Sequence, residues 1–151
     1  MTRVTYDASV FLNGLLNPHG KLPKLFELPD DVQLVVSDVV AEEIFKVVLQ
    51  SARLREALPS LDAISIEEIS SFINEDNMPP LDESLGLEID ICADPNDNKY
   101  LVSALTLDCD YLVTTIPDLL ALEGNKNWEE LRSSSNFRCR ILDLETFASM
   151  L

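Results

Sequence analysis

Three acidic residues stand at positions where a folded chain could use them for chemistry. Asp7 directly follows a short β-prone run, Glu43 lies one turn inside a predicted helix, and Asp97 stands in the turn that begins another helix. Carboxylate oxygens are the ligands that Mg²⁺ and Mn²⁺ prefer, and a bound divalent cation promotes phosphodiester hydrolysis. We therefore interpret these acids as a candidate metal-binding nuclease site. The competing structural interpretation is ordinary: a loop acid, a solvated helix residue and a helix N-cap.

Segments typical of strands and helices alternate along the chain and must position these acids. Strand patterns cover residues 4–6, 32–36, 85–91, 111–115 and 140–142, the third of them as an edge strand. Helix patterns begin near residue 10 and cover residues 38–50, 97–107, 117–122 and 144–151, with weaker ones at 23–28, 54–58 and 66–73. Ser37, Asp38 and Asp143 offer capping side chains. A polar loop is expected between Gly124 and the last strand.

This alternation predicts an α/β fold. Right-handed strand-helix-strand crossovers give a central, mostly parallel sheet, so we expect a three-layer α/β/α sandwich formed by a single domain over residues 1–151. Ligands bind such sheets at the carboxyl ends of the strands. Asp7, Asp97 and the stretch after Thr115 should therefore meet at one edge of the sheet.

The charge of the chain limits its partners. It carries 11 basic and 27 acidic residues, a net charge of −16, which repels nucleic acid in general. A bound divalent cation reverses the sign locally, so a nuclease is not excluded. The acidity suits a basic protein partner equally well.

Composition predicts a soluble, cytoplasmic protein. Apolar residues make up 46% of the chain, yet no run approaches the roughly 20 that span a bilayer. An acid at position 7 interrupts the place where a signal peptide needs an apolar run. Cys92, Cys109 and Cys139 form no close pair, so we expect three reduced cysteines that pack as small apolar residues. The lone His19, in a Pro-His-Gly turn, is expected on the surface.

Several segments resemble one known family. Residues 4–10 (VTYDASV) are similar to the opening strand-Asp-x-Ser/Asn of PIN domains, and residues 35–44 (VVSDVVAEEI) to their serine-led helix that carries a metal-binding Glu. Residues 92–101 (CADPNDNKYL), 110–115 (DYLVTT) and 118–120 (DLL) resemble the Asp-Pro-x-Asp-Asn-Lys-Phe-Leu and Asp-Tyr-Ile-Val-Thr-Gly-Asp-x-Asp-Leu-Leu segments of a VapC-like toxin subfamily. The resemblance extends to a closing strand and helix and leaves out only residues 53–88 or so.

The resemblance implies a site and an activity. Asp7, Glu43 and Asp97 would be the metal ligands and catalytic acids, with Mg²⁺ or Mn²⁺ as the cofactor. Ser9 would orient Asp7 by a hydrogen bond, and Ser9 and Lys99 are the residues expected on the substrate side. The implied function is a metal-dependent endoribonuclease, a toxin-like member of a toxin-antitoxin pair. RNA would be its substrate, an antitoxin-like protein its partner, and a second copy of the chain a further candidate partner.

One departure from the subfamily pattern puts catalysis in question. Ile116 occupies the place of the fourth catalytic acid, while Asp118 stands two residues later. Asp118 either supplies that acid or caps its helix. The alternative function is therefore a weakened or inactive PIN-fold protein that binds without cleaving. A phosphatase is a third hypothesis, and the absence of an Asp-x-Asp-x-Thr motif argues against it.

Overall fold

The computed structural model describes residues 1–16, 28–50 and 89–151 of the chain. The strands are β1 (Thr2–Tyr6), β2 (Val32–Leu34), β3 (Tyr111–Thr114) and β4 (Arg140–Asp143). The helices are α1 (Ala8–Leu16), α2 (Asp38–Gln50), α3 (Asn98–Thr106), α4 (Pro117–Leu120), α5 (Lys126–Ser135) and α6 (Leu144–Met150), and a 3₁₀ turn (Pro95–Asp97) precedes α3.

The four strands form one parallel sheet in the order β2-β1-β3-β4, which confirms the predicted α/β fold. The pairing of β1 with β3 sets Tyr6 opposite Val113. Asp7 follows at once, and its backbone N–H donates to the Val113 carbonyl at 3.3 Å. This register brings Asp7 beside Thr114 at the carboxyl end of both strands.

Helices are tied to the sheet by apolar and aromatic contacts. Tyr6 of β1 is fully buried and contacts Phe11 of α1 and Phe147 of α6, at ring-centroid distances of 5.9 and 6.0 Å. Helix α2 packs between α1 and α3, and α6 packs on β3 and β4. The backbone that carries the acids therefore rests on a common apolar core.

The prediction of a polar loop before β4 is wrong, because this segment contains helix α5. Its sequence is largely polar, but Asn125 caps its start by accepting from the Asn127 N–H at 2.9 Å. Asn136 ends it in the left-handed conformation, with φ of 56°. Trp128 is fully buried and anchors the helix to the core. One large apolar residue and two good caps outweigh a weak periodic pattern.

The edge strand predicted at residues 85–91 is wrong where it can be judged, because residues 89–91 form no strand. The N–H groups of Ile91 and Cys92 donate instead to the Asn98 side chain, at 3.2 and 3.1 Å. Residues 85–88, His19 and the weaker helical patterns lie outside the described residues, except Leu28, which is not helical.

Two cysteines, Cys109 and Cys139, are buried in the core, and Cys92 is half-buried. All three are free thiols.

None of the helices within the described ranges is both long and apolar enough to cross a bilayer.

Candidate active site

Asp7 is the most enclosed of the predicted site residues, with no exposed surface. Its Oδ1 accepts from the Ser9 hydroxyl at 2.5 Å and from the Val10 N–H at 3.2 Å, and its Oδ2 accepts from the Thr114 hydroxyl. Burial raises the pKa of Asp7, and the hydrogen bonds from Ser9, Thr114 and Val10 oppose that rise without cancelling it. The hydrogen bonds therefore fix the orientation of the carboxylate, but they do not offset the full cost of burying its negative charge.

Hydroxyl groups from the end of β3 support this arrangement. The Thr115 hydroxyl donates to the Ser9 hydroxyl oxygen at 2.8 Å, and the Ile116 N–H donates to the Thr114 hydroxyl oxygen at 2.9 Å. Ser9 is thereby fixed toward Asp7, as the resemblance implied. Thr114 and Thr115 were not among the predicted site residues. Two threonines at the end of a strand next to an Asp-bearing strand are the signal that could have identified them.

Glu43 lies on α2, and a pair of buried serines, Ser37 and Ser103, holds the start of this helix. Ser37 accepts from the Val40 N–H at 3.1 Å and so caps α2, and its hydroxyl is 2.7 Å from that of Ser103 on α3. Glu43 is half-buried, and its Oε2 lies 3.2 Å from the Lys99 ammonium nitrogen. Lys99, predicted to face the substrate, thus contacts one of the predicted metal ligands.

Asp97 stands at the N-terminus of α3, but its side chain makes no capping hydrogen bond. Asp94 caps the preceding turn, accepting from the Asn96 N–H at 3.0 Å. Desolvation, then the charge of Asp94 and then that of Asp118, raise the pKa of Asp97, while Lys99 lowers it. The purely structural role considered for Asp97, a side-chain N-cap, is therefore not what the geometry shows.

Asp118 and Ile116 have different environments. Asp118 is exposed in the first turn of α4, and its charge reaches Asp97. Ile116 precedes Pro117 and has extended backbone, with φ of −77° and ψ of 116°, as expected before proline. Its side chain packs against the apolar core. Of these two positions, 118 is the one whose side chain acts on Asp97.

Tyr100 on α3 has a pKa that the charges of all three predicted ligands affect. It is buried, and desolvation raises its pKa first. The charges of Asp7, Glu43 and Asp97 raise it further. The charges of all three acids therefore act on one phenol, which was not among the predicted site residues. The subfamily pattern has Phe at this position, and the change to Tyr was the available signal.

The donor set suits a hard divalent cation, because Asp7, Glu43 and Asp97 offer carboxylate oxygens only. Within residues 1–16, 28–50 and 89–151, however, no three His, Cys, Asp or Glu side chains stand close enough together to hold a metal ion. The Lys99 ammonium instead lies against Glu43. The three acids fit the cation by the kind of oxygen they offer.

Comparison with known proteins agrees with the α/β fold. A family profile described as PIN domain matches residues 3–115, more than half of the chain. No curated protein matches the chain. No solved structure matches it either. The profile includes Asp7, Glu43 and Asp97 and stops one residue before Ile116. The chain therefore belongs to the PIN domain family, whose members are nucleases that act on RNA or DNA and generally require a divalent metal.

Proposed function

We propose that this protein is a metal-dependent endoribonuclease of the PIN type and the toxin-like component of a cytoplasmic toxin-antitoxin pair. The observation that supports the proposal is Asp7, a carboxylate with no exposed surface that accepts hydrogen bonds from Ser9, Val10 and Thr114 and whose pKa is nevertheless raised by burial. Groups held in such an unfavourable environment are concentrated at functional sites. A cation beside Asp7 would remove the penalty.

Each site residue has a task in this proposal. Asp7, Glu43 and Asp97 would hold Mg²⁺ or Mn²⁺, which supplies a water of lowered pKa and positive charge beside the scissile phosphate. Ser9 keeps the Asp7 carboxylate in one orientation. Asp118 adds negative charge on the Asp97 side of the site. Once Lys99 leaves Glu43, its ammonium can bind a phosphate oxygen of the RNA.

The partners follow from charge. The acids leave the site negative, and the whole chain has a net charge of −16. A basic segment of an antitoxin-like protein would pair with these acids and exclude both metal and RNA. A second copy of this chain has the same strong negative charge and is the weaker candidate partner.

Cleavage of RNA tests the activity directly. We expect the wild type to cleave single-stranded RNA internally with Mg²⁺ or Mn²⁺ and to lose activity in EDTA. Asp7→Asn should lower the rate by about a hundredfold or more, since loss of a ligand exceeds the effect of losing its supporting residues. Glu130→Gln removes one acid from an exposed ion pair with Lys126 and is the matched control. Equal loss in both variants would contradict the assignment of Asp7.

The second candidate function is a PIN-fold binding protein with little or no nuclease activity. The packing of Ile116 against the core favours it, because no carboxylate stands at the fourth position of the pattern. Asp118→Ala separates the two functions. If the wild type cleaves RNA and Asp118→Ala does not, Asp118 is the acid that compensates for Ile116. A wild type that cleaves no RNA with either metal, yet binds RNA or a basic partner, establishes the binding protein.

A further inference from the structure

The ion pair between Lys99 and Glu43 joins two helices at the acidic site. The nitrogen and oxygen are 3.2 Å apart, and the two side chains are only 24% and 28% exposed. Lys99 also acts on Asp97, two residues before it, by lowering its pKa. The Lys99 ammonium therefore interacts electrostatically with two of the three carboxylates that we assign to the metal.

An ammonium and a divalent cation compete for the same oxygens. Both are attracted to the negative potential of the acids, and an ammonium 3.2 Å from Glu43 Oε2 repels a metal ion that binds the same oxygen at about 2.1 Å. Lys99 is half-buried and lies on α3, whereas Glu43 lies on α2, so the pair also bridges the two helices. Separation of the pair opens Glu43 for the cation and frees the ammonium for a phosphate.

We propose that Lys99 is an internal competitor of the divalent cation: it occupies Glu43 in the metal-free protein and must leave Glu43 before the metal binds. This inference rests on the proposed function, since it concerns the same acids. It makes Lys99 a positioning residue whose charge keeps the acids together without metal and weakens metal affinity.

The experiment measures Mn²⁺ binding by calorimetry, and thermal unfolding without metal, for the full chain and three variants. Lys99→Met keeps most of the length of the side chain and removes its charge. Lys99→Arg keeps the charge. Lys126→Met removes the same charge from an exposed pair with Glu130, a pair made within α5 and apart from the acidic site. It therefore controls for the change in net charge.

We expect Lys99→Met to bind Mn²⁺ about three- to tenfold more tightly than the wild type, because a competing pair is lost and a negative charge is uncovered. Its metal-free melting temperature should fall, and saturating Mn²⁺ should raise it by more than in the wild type. Lys99→Arg should stay near wild-type affinity. Lys126→Met should change affinity by less than about twofold, as a screened distant charge does.

Other outcomes distinguish this inference from the function on which it rests. Unchanged or weaker Mn²⁺ binding in Lys99→Met, with normal binding by the wild type, overturns the competition and leaves the nuclease proposal standing. Equal tightening in Lys126→Met also overturns it, because net charge alone then explains the effect. If neither the wild type nor Lys99→Met binds Mn²⁺ at millimolar concentration, both proposals fail.

Discussion

Single residues of the site are held in two different ways. Asp7 is fixed by three hydrogen bonds and has no exposed surface. Asp97 makes no capping contact and feels the repulsion of Asp94 and Asp118. The hydrogen bonds hold the Asp7 carboxylate in one orientation, whereas Asp97 lies among other negative charges that repel it. Substitutions should therefore affect fold stability differently at the two positions.

Asp97→Asn should leave the metal-free protein as stable as the wild type or slightly more stable, while it weakens Mn²⁺ binding. The gain stays below about 1 kcal/mol, because solvent screens a side chain that is not deeply buried. Thermal unfolding in EDTA and calorimetric titration with Mn²⁺ measure the two effects. A clear fall in melting temperature without metal would show that Asp97 is mainly structural. Asp94→Ala is the contrast, since it removes a real cap and should cost about 1 kcal/mol.

Ile116→Asp tests whether the missing acid can be restored. The extended backbone before Pro117 directs the side chain to the core, so the new carboxylate would be partly desolvated. We expect a loss of about 1–3 kcal/mol in unfolding free energy and no gain in RNA cleavage. Urea unfolding and the cleavage assay measure these effects. Mn²⁺-dependent cleavage above the wild-type rate would contradict this expectation and show that the turn admits the acid.

The sequence points to the candidate acids more directly than to their surroundings. Asp7 follows a strand, Asp97 precedes a helix and Glu43 lies one turn inside a helix. Each of the three stands within a family-like segment. The roles of Thr114 and Tyr100 depend on the register of β1 with β3 and on the packing of α3. Such contacts join residues about a hundred positions apart, so a local pattern can single out these residues but cannot show what they contact.

At the scale of elements, capping decides where helices begin. Asp143 ends β4 and starts α6, where its Oδ1 accepts from the Thr146 N–H at 2.6 Å. The sequence predicted this cap, because an acid stood between a strand pattern and a helix pattern. Asn125 is also a capping residue, yet α5 was missed because its sequence is largely polar and its periodic pattern is weak, although Trp128 is fully buried. The false strand at 89–91 arose from an alternating pattern whose N–H groups Asn98 satisfies.

Asp143→Ala should destabilise the fold by about 1 kcal/mol at neutral pH, as loss of an N-cap does. Backbone and side-chain hydrogen bonds from Thr146 lower the pKa of Asp143 below its ordinary value. The stabilisation is therefore complete above the unfolded-state pKa of about 4 and disappears as pH falls through the lower folded-state value. Urea unfolding of both proteins from pH 7 to pH 2.5 measures the difference. A difference that grows on acidification would contradict this account.

At the scale of the whole molecule, acidic residues outnumber basic ones by 27 to 11. Repulsion among so many like charges favours the unfolded chain. Salt shortens the range of this repulsion, from about 30 Å at 0.01 M to about 8 Å at 0.15 M.

Raising NaCl from 0.01 M to 0.3 M should therefore increase the melting temperature of the metal-free protein by at least about 2 °C, a stabilisation below about 1 kcal/mol. Differential scanning calorimetry in EDTA measures the shift, and KCl should act equally. A lower melting temperature in salt would mean that ion pairs such as Arg138 with Asp110, 2.5 Å apart, outweigh the net repulsion.

Trp128 is the single tryptophan of the chain, and its indole is fully buried. Its Nε1 donates to Glu123 at 3.2 Å, and the same carboxylate oxygen accepts from the Ile141 N–H of β4 at 2.7 Å. The protein thus contains its own fluorescent probe, placed in α5 and linked to the edge strand β4. Emission from this indole reports the integrity of the C-terminal elements, so a Mn²⁺ titration that leaves its spectrum unchanged would confine the metal's effect to the acidic end of the sheet.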